Sequence, residues 1–325
     1  MDYRKLGRSG IEVSPLGMGC WAMGGQDWGG VTDDAESIRA LHKAFDMGVN
    51  FYDTANVYGM GHSESVLGKA LADRRDKVVI ATKFAYTWDE ATMTHTGPDV
   101  RPEAIRTSLE GSLKRLQTDY VDLFQFHWNE FGPEGAEEIR ETLEELVTAG
   151  KIRTYGWSTD FEDRARIFAK GPNCSAIQVE MNVIDDAPDV ITVCEEYNLA
   201  AINRGPLAMG LLTGKYQPGQ SLPEGDVRGP NAPDWMKYFK DGQANPEWLN
   251  MVNAVGEILT SEGRTLAQGA LAWLWGRSEL TLPIPGFRNV AQVEQNCAAM
   301  QYGPLKPDQM RQIDEILGRT PEPTA

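Results

Sequence analysis

The chain has 325 residues, of which 41% are hydrophobic and 24% charged, a globular composition that excludes disordered and collagen-like designs. Thirty-one Lys and Arg against 47 Asp and Glu leave a formal charge of −16, which repels nucleic acid and anionic membrane as principal partners. No apolar run approaches the ~18 residues that a membrane-spanning helix needs. The first residues, Met1 to Leu6, lack the apolar core of a signal peptide, and Cys20, Cys174, Cys194 and Cys297 form no CxxC pair. Buried thiols in a reducing compartment are expected, which places the protein in the cytoplasm.

In chain order, residues 3–14 read as a hairpin turning at Gly7-Arg8-Ser9-Gly10 and placed to plug a barrel floor. Eight apolar runs rich in β-branched residues follow, at 15–20, 49–53, 77–83, 120–127, 152–158, 176–182, 199–204 and 280–285. Continuous apolar runs suit parallel strands buried on both faces. Helical stretches separate them. Asp33 with Glu36 forms a capping signal, and Pro102 suits a first helical position. Ile105, Leu109, Leu113 and Leu116 then share one face, as do Ile139, Leu143, Leu146 and Val147. Val252, Val255 and Leu259 line a further helix, and another spans 266–277. Eight βα units without a linker predict a closed (β/α)8 TIM barrel, one domain over residues 1–325, ahead of a doubly wound open sheet. Residues 216–245, with four prolines and four glycines, break the rhythm. A long irregular loop after strand 7 of a compact domain reads as a lid or clamp, or as a mobile surface insertion.

Barrel chemistry sits at the C-terminal ends of the strands. Asp53 ends strand 2, Tyr58 follows in its loop, Lys83 ends strand 3 and His127 ends strand 4. Each has an ordinary reading alone: a turn cap, a packed ring, a satisfied core histidine. Charged Asp and Lys on adjacent buried strands are harder to explain that way, because unpaired burial is costly, so they should pair. An ammonium beside a phenol lowers its pKa from about 10, and a carboxylate keeps the ammonium charged. A histidine opposite could orient a carbonyl oxygen. Such a set protonates an oxygen becoming an alkoxide, and it requires a separately bound hydride donor.

These residues lie in motifs that resemble the aldo-keto reductases. The motifs are Gly48-Val49-Asn50-Phe51-Tyr52-Asp53-Thr54-Ala55-Asn56-Val57-Tyr58-Gly59, continuing through Ser63-Glu64 and Leu67-Gly68, and Leu123-Phe124-Gln125-Phe126-His127-Trp128. Pro206 to Lys215 and Pro283-Ile284-Pro285-Gly286-Phe287-Arg288 complete them in the family's order. The resemblance implies an oxidoreductase that reduces aldehydes or ketones to alcohols with hydride from NADPH, or from NADH. It implies Tyr58 as proton donor, Asp53 and Lys83 as its tuning groups, and His127 as the carbonyl-orienting residue. Ser158 and Gln178 match positions that hold the nicotinamide carboxamide. Residues 205–215, including Gly205, Leu207, Gly210, Leu211 and Lys215, match the loop that wraps the pyrophosphate. Gly286, Arg288, Gln292, Gln295 and Asn296 match the adenosine end, and Trp21 borders the cofactor site. Arg288 beside a helix start also suits a 2′-phosphate on physical grounds. Three positions depart from the family pattern. Thr159 replaces the Asn that usually follows the strand-5 Ser, Arg204 replaces a stacking aromatic, and Gln295 replaces an acid.

Gly17-Met18-Gly19-Cys20-Trp21-Ala22 matches GxGxxA, but Gly24, Gly25, Gly29 and Gly30 follow where a dinucleotide fingerprint needs a helix. It reads as a loop beside the active site. His42, His62, His95 and His127 show no ligand spacing, so no catalytic metal is expected. Trp21, Trp28, Trp88 and Trp128 follow strands 1, 3 and 4, where they would wall the mouth with aromatic surface or simply pack the rim. That wall favours bulky aldehydes. The expected partner is thus a small carbonyl compound. A barrel glycosidase using Asp53 and Glu180, and a cofactor-sensing regulatory subunit resembling potassium-channel β subunits, are the rival readings.

Overall fold

The computed structural model describes residues 1–25 and 32–319. Eight parallel strands form one sheet: β1 (Gly17–Gly19), β2 (Phe51–Asp53), β3 (Val79–Phe84), β4 (Val121–Phe126), β5 (Ile152–Ser158), β6 (Cys174–Glu180), β7 (Ala200–Arg204) and β8 (Thr281–Pro283). They pair in chain order, and a parallel bridge between Gly19 and Gly286 closes the ring. This is the (β/α)8 barrel. All eight expected strands are present, with ends shifted by a few residues.

The helices around it begin where side chains satisfy the first-turn amides. α1 (Asp34–Asp46) is capped by Asp33, which accepts from the Glu36 amide. α2 (His62–Leu71) follows the Tyr58 loop, and α3 (Pro102–Leu116) starts on proline. α4 (Ala136–Thr148), α5 (Glu162–Ala169) and α6 (Pro188–Tyr197) cover β4 to β7. α7 (Pro246–Leu259) is capped by Asn245, and α8 (Leu266–Arg277) carries a Thr265/Gln268 capping box. α9 (Val290–Ala298) and α10 (Pro307–Ile316) complete the shell.

Period-two alternation sets the barrel interior. Phe51, Val79, Ala81, Leu123, Ala176 and Ile202 form an apolar lower layer. Two residues further along the same strands stand Asp53, Lys83, Gln125 and Gln178, so the interior turns polar toward the C-terminal ends. The N-terminal hairpin pairs Arg4–Lys5 with Glu12–Val13, and its Leu6, Ile11 and Val13 pack into the lower layer as the floor plug.

Residues 216–245 are tied down. They include a two-strand hairpin, Phe239–Lys240 with Gln243–Ala244, and Arg228 donates to the Met209 carbonyl at 3.0 Å and to Tyr216 Oη at 2.5 Å. After β3 the chain forms a third hairpin, Tyr86–Asp89 with Thr94–Pro98, where only a loop was expected. Among the described residues no helix is long and apolar enough to cross a membrane.

Candidate active site

The polar layer is one hydrogen-bonded network. Lys83 is fully buried, and its Nζ donates to Asp53 Oδ1 at 2.5 Å, the Thr54 carbonyl at 2.8 Å and Tyr58 Oη at 3.2 Å. An ammonium has three donors, so all are used. Asp53 Oδ2 accepts from Gln125 Nε2 at 2.9 Å and Gln178 Nε2 at 2.8 Å. The buried pair is therefore compensated on both sides, the condition under which such burial is tolerated.

Tyr58 is held by local backbone. Its amide donates to Ala55, its carbonyl accepts from the Ser63 amide at the start of α2, and Gly59 turns the chain at φ 58°. A side chain at Gly59 would strike the Gly24 carbonyl, 2.0 Å from an ideal Cβ. Glycine is required there for a positive φ and for close approach.

The electrostatics correct one expectation. Burial is the largest influence on the Tyr58 phenol and holds it above its ordinary 10.0, with Lys83 pulling the other way without prevailing. The group is thus a retained proton and not a phenolate. Burial also opposes the Lys83 charge, but Asp53 and Tyr58 outweigh it and hold the ammonium above its ordinary range. His127 lies well below the usual histidine range through burial and the nearby Lys83 and Arg204, so its ring is neutral at neutral pH. Its ring meets those of Tyr58 at 5.8 Å and Tyr86 at 5.6 Å, edge to face, and its Nδ1 is enclosed without a hydrogen-bond partner.

The strand ends open into a cavity of about 930 Å3. Asp53, Tyr58, His127, Ser158, Gln178 and Arg204 line its depth. Gly205, Leu207, Gly210 and Lys215 form one wall, and Gly286, Arg288, Gln292, Gln295 and Asn296 the far end. At that far end Asn289 caps α9 by accepting from the Gln292 amide, while Gln292 Oε1 accepts from the Arg288 amide at 2.7 Å. Lys215 and Arg288 are both held below their ordinary ranges, first by burial and then by the Arg228 charge. Arg228 is itself paired with Asp226 at 2.7 Å, so three neighbouring cations share one carboxylate, and with Arg288 next to the start of α9 an anion with more than one charge would relieve them. On that observation the cavity fits a phosphate-bearing cofactor.

Three sequence expectations fail here. Trp88 does not line the cavity, because its ring packs on the Arg115 guanidinium at 5.2 Å. Trp128 also turns away, 5.2 Å from Phe131, and its carbonyl accepts from Trp157 Nε1. Leu211 is buried in the outer core and leaves the cavity wall to Gly210 and Leu207. Trp28 lies outside the described residues. The aromatic surface of the mouth instead comes from Trp21, Tyr86 and Trp235, with Trp21 5.9 Å from Trp235 and 6.1 Å from Tyr58.

Sequence reasoning also missed Gln125 and Asp160. Gln125 was legible as a polar residue two positions before His127 within an apolar strand. Asp160 had no local signal. The proposed glycosidase pair dissolves, since Asp53 is engaged by Lys83 and Glu180 by Arg204 at 3.0 Å. The GxGxxA match leads from β1 into a 3-10 turn, Trp21–Gly24, which rules out a Rossmann helix at that point.

This barrel, with its polar layer and large cavity at the strand ends, corresponds to a known enzyme class. The aldo/keto reductase family model matches residues 15–318, and the chain belongs to that family of oxidoreductases. It is 32% identical to the aldo-keto reductase YhdN of Bacillus subtilis, over 98% of this chain and 95% of that protein. Among solved structures it superposes on glycerol dehydrogenase AKR11B4 from Gluconobacter oxydans with a TM-score of 0.83 and 30% identity, covering 100% of this chain and 98% of that one. Aldo-keto reductase AKR11C1 from Bacillus halodurans, in its holo form, gives a TM-score of 0.79 at 27% identity, with 97% and 96% covered.

Proposed function

We propose that the protein reduces aldehydes or ketones to alcohols, with NADPH as the preferred hydride donor and Tyr58 as the proton donor. The observation that carries this reading is the Asp53–Lys83–Tyr58 chain ending at the cavity. Lys83 donates to Tyr58 Oη, so the phenol oxygen accepts on its buried side and its own proton is directed toward the cavity. Burial keeps that proton on Tyr58 until a stronger base, the developing alkoxide, forms beside it. Once the proton leaves, the adjacent ammonium stabilises the phenolate, while Asp53 fixes the ammonium in place.

His127 is neutral and has no acceptor for an Nδ1 proton, so the tautomer protonated at Nε2 avoids an orphaned donor. That tautomer serves to orient a carbonyl oxygen. When bound, the nicotinamide cofactor supplies the hydride. Ser158 and the Oε1 of Gln178 would receive its carboxamide, because Gln178 Nε2 is committed to Asp53 and Gln125. Lys215, Arg228 and Arg288 would hold its phosphates, and Gln295 with Asn296 would border the adenosine end.

The test is Tyr58→Phe. Aldehyde reduction with NADPH should fall by at least ~10²-fold, the lower range for removing a positioned general acid, while cofactor binding measured by fluorescence persists. Turnover that is unchanged in this variant would remove Tyr58 from the role.

A further inference from the structure

Gln125 on β4 is fully buried and lies outside the cavity lining, yet both ends of its amide are engaged. Its Nε2 donates to Asp53 Oδ2 at 2.9 Å, and its Oε1 accepts from Gln178 Nε2 at 3.2 Å. Gln178 Nε2 also donates to Asp53 Oδ2, at 2.8 Å. A carboxylate only accepts, so both amides must turn nitrogen toward Asp53. An amide nitrogen carries two protons, and those of Gln178 go one to Asp53 and one to Gln125. The Gln178 edge left for the cavity is Oε1, an acceptor with no proton to give. Turning that amide over would set its oxygen against the Asp53 carboxylate and Gln125 Oε1, two contacts between acceptors.

The strand register makes this exchange possible. Gln125 stands opposite Gly156 on β5, and Gln178 on β6 stands opposite Ser158. Tyr155 and Trp157 pack in the outer core, so Gly156 faces the barrel interior on the strand that separates the two glutamines. A Cβ at Gly156 would lie 2.3 Å from the Ala176 carbonyl oxygen, so the strand must carry glycine there and no side chain parts the amides. Ser158, whose hydroxyl can donate or accept, lines the cavity together with Gln178.

We propose that Gln125 is a positioning residue for cofactor recognition: by accepting the second amide proton of Gln178 it locks Gln178 Oε1 toward the cavity, so that the site takes a nicotinamide carboxamide and rejects the carboxylate of a nicotinic acid dinucleotide. The inference rests on the reductase reading above and deepens it. A carboxamide has the N–H that the locked oxygen needs. A carboxylate would bring acceptor against acceptor in a buried layer that already holds the charge of Asp53.

The experiment measures, by tryptophan fluorescence, the Kd of NADP+, of nicotinic acid adenine dinucleotide phosphate and of 2′-phospho-ADP-ribose, which lacks the ring. In the wild type the carboxylate dinucleotide should bind at least about tenfold more weakly than NADP+, the penalty of one unmatched buried acceptor. Gln125→Met keeps the shape of the side chain and removes both of its hydrogen bonds. It should weaken NADP+ by about fivefold, the worth of one net hydrogen bond, and leave the other two ligands unchanged. In a Gln178→Leu background the same substitution should have no further effect on NADP+, because Gln125 acts through Gln178. Equal wild-type affinities for the two dinucleotides would overturn the inference without any variant. So would a folded Gln125→Met protein that discriminates as the wild type does, or one that loses NADP+ and 2′-phospho-ADP-ribose equally, which is what a merely structural role predicts. The expected binding pattern in a protein that reduces no aldehyde or ketone would overturn the reductase reading alone, and no binding of any of the three ligands would overturn both.

Discussion

The Tyr58 proton is useful because burial retains it. Reduction consumes the protonated phenol, and a pKa raised above 10.0 moves the loss of that form further into alkali. Reductive kcat/KM should therefore stay flat up to about pH 9 and decline only beyond it, which a pH–rate profile with a fixed aldehyde will check. His127 works in the opposite direction. Its folded pKa lies well below the unfolded 6.5, so below that value the unfolded chain binds the extra proton and stability declines as pH falls. The slope approaches about 1.4 kcal/mol per pH unit, that of one proton. Melting temperatures between pH 7 and 5 should fall further for the wild type than for His127→Gln. Arg288→Ala should raise KM for NADPH several-fold more than for NADH, given the loss of a charged phosphate contact. Equal changes with both cofactors would argue against a 2′-phosphate at Arg288. At this scale Asp53, Tyr58, Lys83 and His127 were legible from residue type at strand ends. The direction of the Tyr58 shift was not, because it depends on how much protein surrounds the ring.

Strands β3, β4 and β5 are joined at their N-terminal ends by a buried carboxylate. Asp122 is fully enclosed, and accepts from Arg75 at 2.7 Å, Arg153 at 2.7 Å and the Ile80 amide at 2.9 Å. Asp122→Asn would leave two guanidinium groups facing a neutral amide, and should destabilise the fold by about 3 kcal/mol, a value typical of breaking a buried pair. Because this network lies at the opposite end of the strands from Tyr58, kcat of the folded fraction should be unchanged. Denaturant titration and an assay on the same sample separate the two effects. Element identities followed from apolar period and capping residues such as Asp33 and Pro102. The orientation of Trp88 and Trp128 did not, since a loop residue faces whichever surface its hairpin or turn presents. Residues 86–98 fold into a hairpin that carries Tyr86 and His95, not Trp88, to the cavity.

Across the whole molecule, the floor plug closes a barrel that would otherwise expose its lower apolar layer. Leu6 is completely buried there, packed among residues of the barrel interior. Leu6→Ala should cost about 2–5 kcal/mol through lost transfer energy and a residual cavity, with kcat again retained in the folded molecule. Thermal unfolding would measure the first and a specific-activity assay the second.

Eight apolar runs separated by capped amphipathic helices were enough to determine a parallel barrel, because strand and helix periods are local properties that must agree along the chain. The same period-two spacing determined that Asp53, Lys83 and His127 stand at its C-terminal rim. Only the tertiary structure decided that Asp160 and Glu180 occupy Arg204, that Trp235 meets Trp21, and that Lys215, Arg228 and Arg288 crowd one end of the cavity. Those groups come from different βα loops, and charges or rings so distant in sequence acquire partners only when the barrel closes.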